Sequence, residues 1–215
     1  MILVVSALLL LVLLYFEKVE SAAGKALSKF ALSSLFVTAA LTAPHPDRSY
    51  FVPILIGLVF CLAGDVLLAF SSPWAFRTGL VSFLIGHVFY LAAFLRFFNF
   101  GGYFVIAVLA SAIAAIIIYL KLLPYLGDMK IPVLAYICVI SLMLTSAITA
   151  GASGVLSQKA SLLIISGTFL FYLSDIFVAR NRFISKRFIN RLIGLPLYYA
   201  GQFLLAFSVG SVKLV

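Results

Sequence analysis

The chain has 215 residues, 65% of them hydrophobic and 10% charged, with a mean hydropathy of +1.26. Soluble domains carry roughly 45–50% apolar and about 25% charged residues, so this composition excludes a water-soluble globule and calls for lipid around the outside. The net charge of +9 is spread between apolar runs rather than gathered in one patch. That distribution argues against nucleic acid and for topology signals and contacts with anionic headgroups.

A bilayer core takes about 20 apolar residues per helix, and shorter runs are accommodated by thinning or snorkelling. Breaks in the apolar pattern predict eight spans, at 1–16, 27–43, 51–70, 79–95, 102–120, 132–150, 161–179 and 193–210. The fold class is therefore an all-α polytopic transmembrane bundle, expected to form a single membrane domain over 1–215. Residues 2–16 have no Lys or Arg before them, so they read as a retained first helix rather than a cleaved signal. Pro44, Pro46, Pro73, Gly127, Gly151 and Gly154 punctuate the connections, which are all short. Eleven Lys and Arg fall in the loops after helices 1, 3, 5 and 7 or, for Lys29, at the start of the following helix; the other side holds Arg48, Arg96, Lys159 and Lys213. The positive-inside rule then puts both termini outside the cytoplasm, in a membrane such as the bacterial inner membrane. The basic loop at 179–191 (Arg180, Arg182, Lys186, Arg187, Arg191) dominates this reading, and a plain topology anchor is at least as good a reading of it as a substrate-binding role.

Ionisable groups inside spans are costly and need a reason. Glu17, Glu20, Asp47 and Asp128 fall in connections and are expected to be solvated. Asp65, near the end of helix 3, and Asp175, near the end of helix 7, are not. Both helices run in the same direction, so the two carboxyls are expected at one depth, roughly 6–8 Å inside the cytoplasmic boundary at about 1.5 Å per residue. The same layer should collect Lys29, Tyr136, Tyr198, Tyr199 and Gln202. His87 lies nearer mid-membrane, on one face with Phe83 and Tyr90. Gly57, Cys61, Gly64 and Asp65 form a small-residue face that a neighbouring helix can approach. Each polar group also has a plain structural reading: Lys29 as a snorkelling residue, the tyrosines as an interfacial belt, and the aspartates as hydrogen-bond partners.

Two carboxyl groups in a low-dielectric pocket can hold different protonation states. That suits general acid catalysis through an oxocarbenium-like state followed by attack of water, the logic of glycosidases. It suits a proton relay equally well. Only His45 and His87 are present, and GxSxG, HExxH, Walker A and GxGxxG are absent, so neither a metal site nor a nucleotide cofactor is expected.

Leu62-Ala63-Gly64-Asp65-Val66-Leu67-Leu68, Phe83-Leu84-Ile85-Gly86-His87-Val88-Phe89-Tyr90, Tyr172-Leu173-Ser174-Asp175 and Tyr198-Tyr199-Ala200-Gly201-Gln202-Phe203-Leu204 follow one another along the chain. In this order and spacing they resemble the YhhN family, whose animal members are lysoplasmalogenases. The resemblance runs through nearly the whole chain. It departs at Lys29, which is followed by Phe30 where the family usually has proline. The resemblance implies cofactor-free hydrolysis of the vinyl ether bond of lysoplasmalogens, giving a fatty aldehyde and a glycerophospho-ethanolamine or -choline. It implies that Asp65 and Asp175 divide the acid and base roles, and that Lys29, His87, Tyr90, Tyr136, Ser174, Tyr199 and Gln202 bind or orient. The expected partners are the lysophospholipid and membrane lipids, with no protein partner indicated. The residues by themselves leave a second reading open: a small lipid or solute transporter, or a lipid-binding protein, that uses the aspartates as a proton or headgroup site. Prolines near helix ends weigh toward the enzyme.

Overall fold

A computed structural model describes residues 1–98 and 100–212; Lys213, counted in the charge distribution, lies outside the described residues. Among the described residues eight α-helices follow one another in the order α1 (Ile2–Lys18), α2 (Ala22–Thr42), α3 (Arg48–Leu67), α4 (Pro73–Leu95), α5 (Gly102–Leu122), α6 (Lys130–Gly151), α7 (Gln158–Ala179) and α8 (Phe188–Ser208). No strand occurs among the described residues. Among the described residues, five stretches are long and apolar enough to cross a membrane: α3, α4, and the helical runs Gly102–Tyr125, Gly127–Gly151 and Gln158–Ile184. The 17-residue α1 is short, while α2 and α8 carry their polar residues on faces turned into the bundle.

Several helices start before the apolar run does, because their first turns are polar and capped. Ser21 Oγ accepts from Gly24 N, Ser72 Oγ from Ala75 N, Ser157 Oγ from Ala160 N, and Asp47 Oδ1 from both Ser49 N and Tyr50 N. These bonds satisfy amides that the helix leaves unpaired. Asp47 also meets Arg96 at 3.5 Å, so the solvated role expected for it gives way to a cap tying α3 to the end of α4. The loop expected over 179–191 is mostly helical. A π-helical turn, Arg180–Ile184, prolongs α7, and α8 begins at Phe188. Pro196 therefore sits inside α8, as Pro53 does inside α3, so the prolines are not confined to helix ends.

The helices α2, α3, α4, α6, α7 and α8 form a closed circuit, with α1 laid against α2 and α8 and α5 against α6. In α5 only 11% of the apolar window is buried, against 56% for the run containing α6, so α5 is a lipid-facing helix and α6 a central one. Lipid is as apolar as leucine, so close packing and interhelical hydrogen bonds must hold such a bundle. The small-residue face of α3 does meet α4. A Cβ on Gly86 would come within 3.0 Å of the Gly57 carbonyl, and one on Gly64 within 2.7 Å of the Phe83 ring. Between α7 and α8 the backbones touch at Gly167 and Gly201. Tyr50 and Ser208 share a buried 2.7 Å hydrogen bond that links α3 to α8.

At Gly201 an added Cβ would lie 2.7 Å from the Gly167 carbonyl oxygen and 3.0 Å from the Phe171 nitrogen. Gly201→Ala should therefore destabilise the bundle by about 1–3 kcal/mol, outweighing the gain of about 1 kcal/mol in helix propensity. Gly102→Ala, with nothing within 4 Å of its Cβ, should be neutral or slightly stabilising. Thermal unfolding of the detergent-solubilised protein checks both signs.

Candidate active site

Asp65 stands on the face of α3 that carries Gly57 and Cys61, and its side chain is buried. Its Oδ2 accepts from Ser33 Oγ of α2 at 2.6 Å and from Tyr198 OH of α8 at 2.7 Å. Ser33 Oγ lies 3.5 Å from Tyr199 OH. Asp175, one turn before the end of α7, accepts from Tyr136 OH of α6 at 2.7 Å. The two carboxyls thus have parallel surroundings, each fixed by a tyrosine hydroxyl from a different helix. Hydrogen bonds to a carboxylate are among the stronger ones, and they set its orientation as well as its energy.

The two differ in access. Asp175 lines an apolar cleft of about 90 Å³ whose walls include Leu80, Phe83, Ile137, Ile140 and Phe183, and its side chain is 18% exposed. Tyr136, Tyr198 and Lys29 line the same cleft, whereas Asp65 lies behind Tyr198. His87 of α4 is fully buried, with Nε2 4.0 Å from Asp175 Oδ2, too long for a hydrogen bond. Its ring packs edge-on to Tyr136 and against Phe171, and neither ring nitrogen has a hydrogen-bond partner among the described residues.

The other expected residues fall in three places. Gln202 and Tyr90 pair with each other, Tyr90 OH donating to Gln202 Oε1 at 2.8 Å, in the core between α4 and α8. Ser174 donates back to the Phe171 carbonyl of its own helix at 2.7 Å and makes no contact with either carboxyl. Lys29 is buried, its ammonium 3.9 Å from Glu17. Glu17, expected in a solvated connection, is instead enclosed. It belongs to the last turn of α1, its side chain is 7% exposed, and Arg191 of α8 approaches it at 3.7 Å from the other side. The helix continues to Lys18 and so keeps Glu17 on the inward face, four residues after the fully buried Leu13.

Ser33 and Asn190 are the residues that sequence reasoning missed, while Glu17 and Arg191 were expected only as residues of solvated and basic connections. Ser33 had a signal, since it lies one helical turn after Lys29 on the same face of α2. Tyr198 reads from the sequence as an interfacial residue, whereas in the fold it is a partner of Asp65. Glu20 is exposed as expected, and the Lys186 ammonium hydrogen-bonded to it at 2.7 Å holds its carboxyl below the usual carboxylate range.

Known proteins resemble this chain over most of its length. The chain is 30% identical to the lysoplasmalogenase TMEM86A of Homo sapiens over 172 residues, covering 76% of this chain and 66% of that protein. It is 28% identical to a lysoplasmalogenase of Mycobacterium bovis over 180 residues, covering 80% of this chain and 64% of the relative. It is 32% identical to the lysoplasmalogenase TMEM86B of Mus musculus over 158 residues, covering 72% and 62% respectively. The chain therefore spans slightly less than two thirds of the length of these relatives. No solved structure matches it. The match to the YhhN family covers residues 24–209, which include both aspartates and all three tyrosines around them, and the chain belongs to that family.

Proposed function

We propose that this chain is an intramembrane hydrolase that cleaves the vinyl ether bond of lysoplasmalogens, releasing a fatty aldehyde and a glycerophospho-base. The observation that carries the reading is the pair of tyrosine-held carboxyls, Asp175 facing an apolar cleft and Asp65 one side chain behind it. A single-chain lipid is the substrate such a cleft suits, and a vinyl ether is the bond such a pair suits. The names of the relatives support the same class. In this reading the basic end of the bundle faces the cytoplasm of a bacterial inner membrane.

Protonation of the alkene carbon remote from the ether oxygen leaves an oxocarbenium ion, and Asp175 in its acid form donates that proton. Tyr136 occupies Oδ2 of Asp175, which leaves Oδ1 to carry the proton toward the cleft. Water then adds to the cationic carbon. Its proton passes to the Tyr198 oxygen as Tyr198 gives its own proton to Asp65, to which it is already hydrogen-bonded. The hemiacetal collapses by the reverse traffic. Asp65 returns a proton through Tyr198 to the departing glycerol oxygen, and Asp175 takes the hemiacetal hydroxyl proton. Both carboxyls end in their starting states, and one water has been consumed.

Asp65→Asn and Asp175→Asn should each lower aldehyde release from a lysoplasmalogen by about 10²–10⁴-fold, the range general acid–base groups supply. Full activity in both variants would rule out the two-carboxyl mechanism, and no aldehyde from folded wild type would favour a lipid carrier. Tyr136→Phe removes one charge-assisted hydrogen bond and should lower kcat by roughly 10–100-fold, whereas Tyr198→Phe also cuts the proton path to Asp65 and should cost about as much as Asp65→Asn. In heavy water, the released aldehyde should carry one deuterium on the carbon next to the carbonyl. Mass spectrometry reads this directly, and an undeuterated aldehyde would exclude protonation at carbon.

A further inference from the structure

The connections α1–α2, α3–α4 and α7–α8 meet at the basic end and enclose a second chamber of about 320 Å³. It shares Leu68, Phe76, Val178 and Arg191 with the apolar cleft, so the two spaces adjoin. Its character is the opposite of the cleft's. Lys18, Lys25, Arg182, Lys186, Arg187 and Arg191 line it against only Glu17 and Glu20.

The α7–α8 side of this chamber is held in shape by its own bonds. Asn181 Oδ1 accepts from Arg187 N at 3.2 Å and from Asn190 Nδ2 at 3.4 Å, while Asn190 Nδ2 also donates to the Ser185 carbonyl at 2.8 Å. The Arg182 guanidinium sits 4.3 Å above the centre of the Phe76 ring, at the boundary between chamber and cleft. Across the mouth, Lys186 reaches Glu20 at 2.7 Å, and both side chains are largely exposed.

We infer that this chamber is the seat of the substrate's phosphate: a glycerophosphate diester binds among Arg182, Lys186 and Arg191 while its hydrocarbon chain passes Phe76 into the apolar cleft. The inference rests on the lipid-hydrolase reading above and adds where the headgroup goes. A molecule with an anionic head and one apolar tail is what two adjoining spaces of opposite polarity accommodate together. Lys29 is less suited to the phosphate, because it lines the cleft rather than the chamber and its ammonium already faces Glu17. The guanidinium groups offer paired donors that match phosphate oxygens. Glu20 competes for Lys186, and that pair must loosen when phosphate arrives.

The test is binding, independent of turnover. The purified protein in detergent is titrated by calorimetry with a non-cleavable 1-alkyl lysophosphoethanolamine, with the corresponding 1-alkylglycerol, and with inorganic phosphate. The double variant Arg182→Gln/Lys186→Gln should bind the lysophospholipid at least about 10-fold more weakly and bind the alkylglycerol as wild type does. Glu20→Gln should bind the lysophospholipid about two- to threefold more tightly, because a competing surface carboxylate is gone. Lys159→Gln, at the far end of α7, is the control and should change nothing. Unchanged lysophospholipid affinity in the double variant overturns the assignment, as does an equal loss for the alkylglycerol. Inorganic phosphate binding as tightly as the lysophospholipid would make the chamber a free-anion site instead. Aldehyde release followed in parallel separates the two readings. Charge-dependent binding without aldehyde sinks the hydrolase and keeps the headgroup seat, and aldehyde with charge-independent binding does the reverse.

Discussion

A carboxyl group inside a lipid-solvated bundle has no water shell to fall back on, so the protein must bring donors to it. Asp65 draws Ser33 from α2 and Tyr198 from α8, and Asp175 draws Tyr136 from α6. Five of the six helices in the circuit therefore meet around two side chains, and the sixth, α4, supplies His87 beside Asp175. The close contacts elsewhere serve the same arrangement. Glycines at 57, 64 and 86 bring α3 against α4, and Gly167 with Gly201 bring α7 against α8. A side chain at any of these positions would meet the neighbouring helix within 3.0 Å.

Charge is handled differently at the basic end. Glu17 is enclosed by Lys29 and Arg191, one cation from each neighbouring helix, so that no single buried charge stands alone. Such pairs contribute little net stability once desolvation is counted, but losing one partner is costly. Their effect here is to join α1, α2 and α8 at the floor of the polar chamber. Arg182, Lys186 and Arg187 of the α7–α8 connection face that chamber with fewer carboxylates to meet them. An apolar cleft and a cationic chamber thus share a wall within a few residues, and the boundary passes through Phe76 and Arg191.

The family relation and the geometry bear on different questions. Similarity to lysoplasmalogenases motivates the proposed reaction class, while the hydrogen bonds show how two aspartates come to differ in surroundings. Asp175 has one tyrosine donor and reaches the cleft; Asp65 has two hydroxyl donors and reaches it only through Tyr198. Identical residue types are made unequal by position alone.

Hydropathy and punctuation in the chain were enough to count eight helices and to single out Asp65 and Asp175, because apolar length and an isolated charge within it are local properties. Lys29, Tyr136 and Gln202 were legible as buried polar groups for the same reason. Capped polar first turns hid several true helix starts, since a cap is read from its hydrogen bond and not from hydropathy. What Ser33, Tyr198 and Glu17 do was decided only when helices distant in sequence packed together. A hydroxyl or carboxylate on a helix has no assigned partner until the neighbouring face is known. The two carboxyls, the cleft one of them faces and the cationic chamber beside it are products of that packing, and no single stretch of the chain contains them.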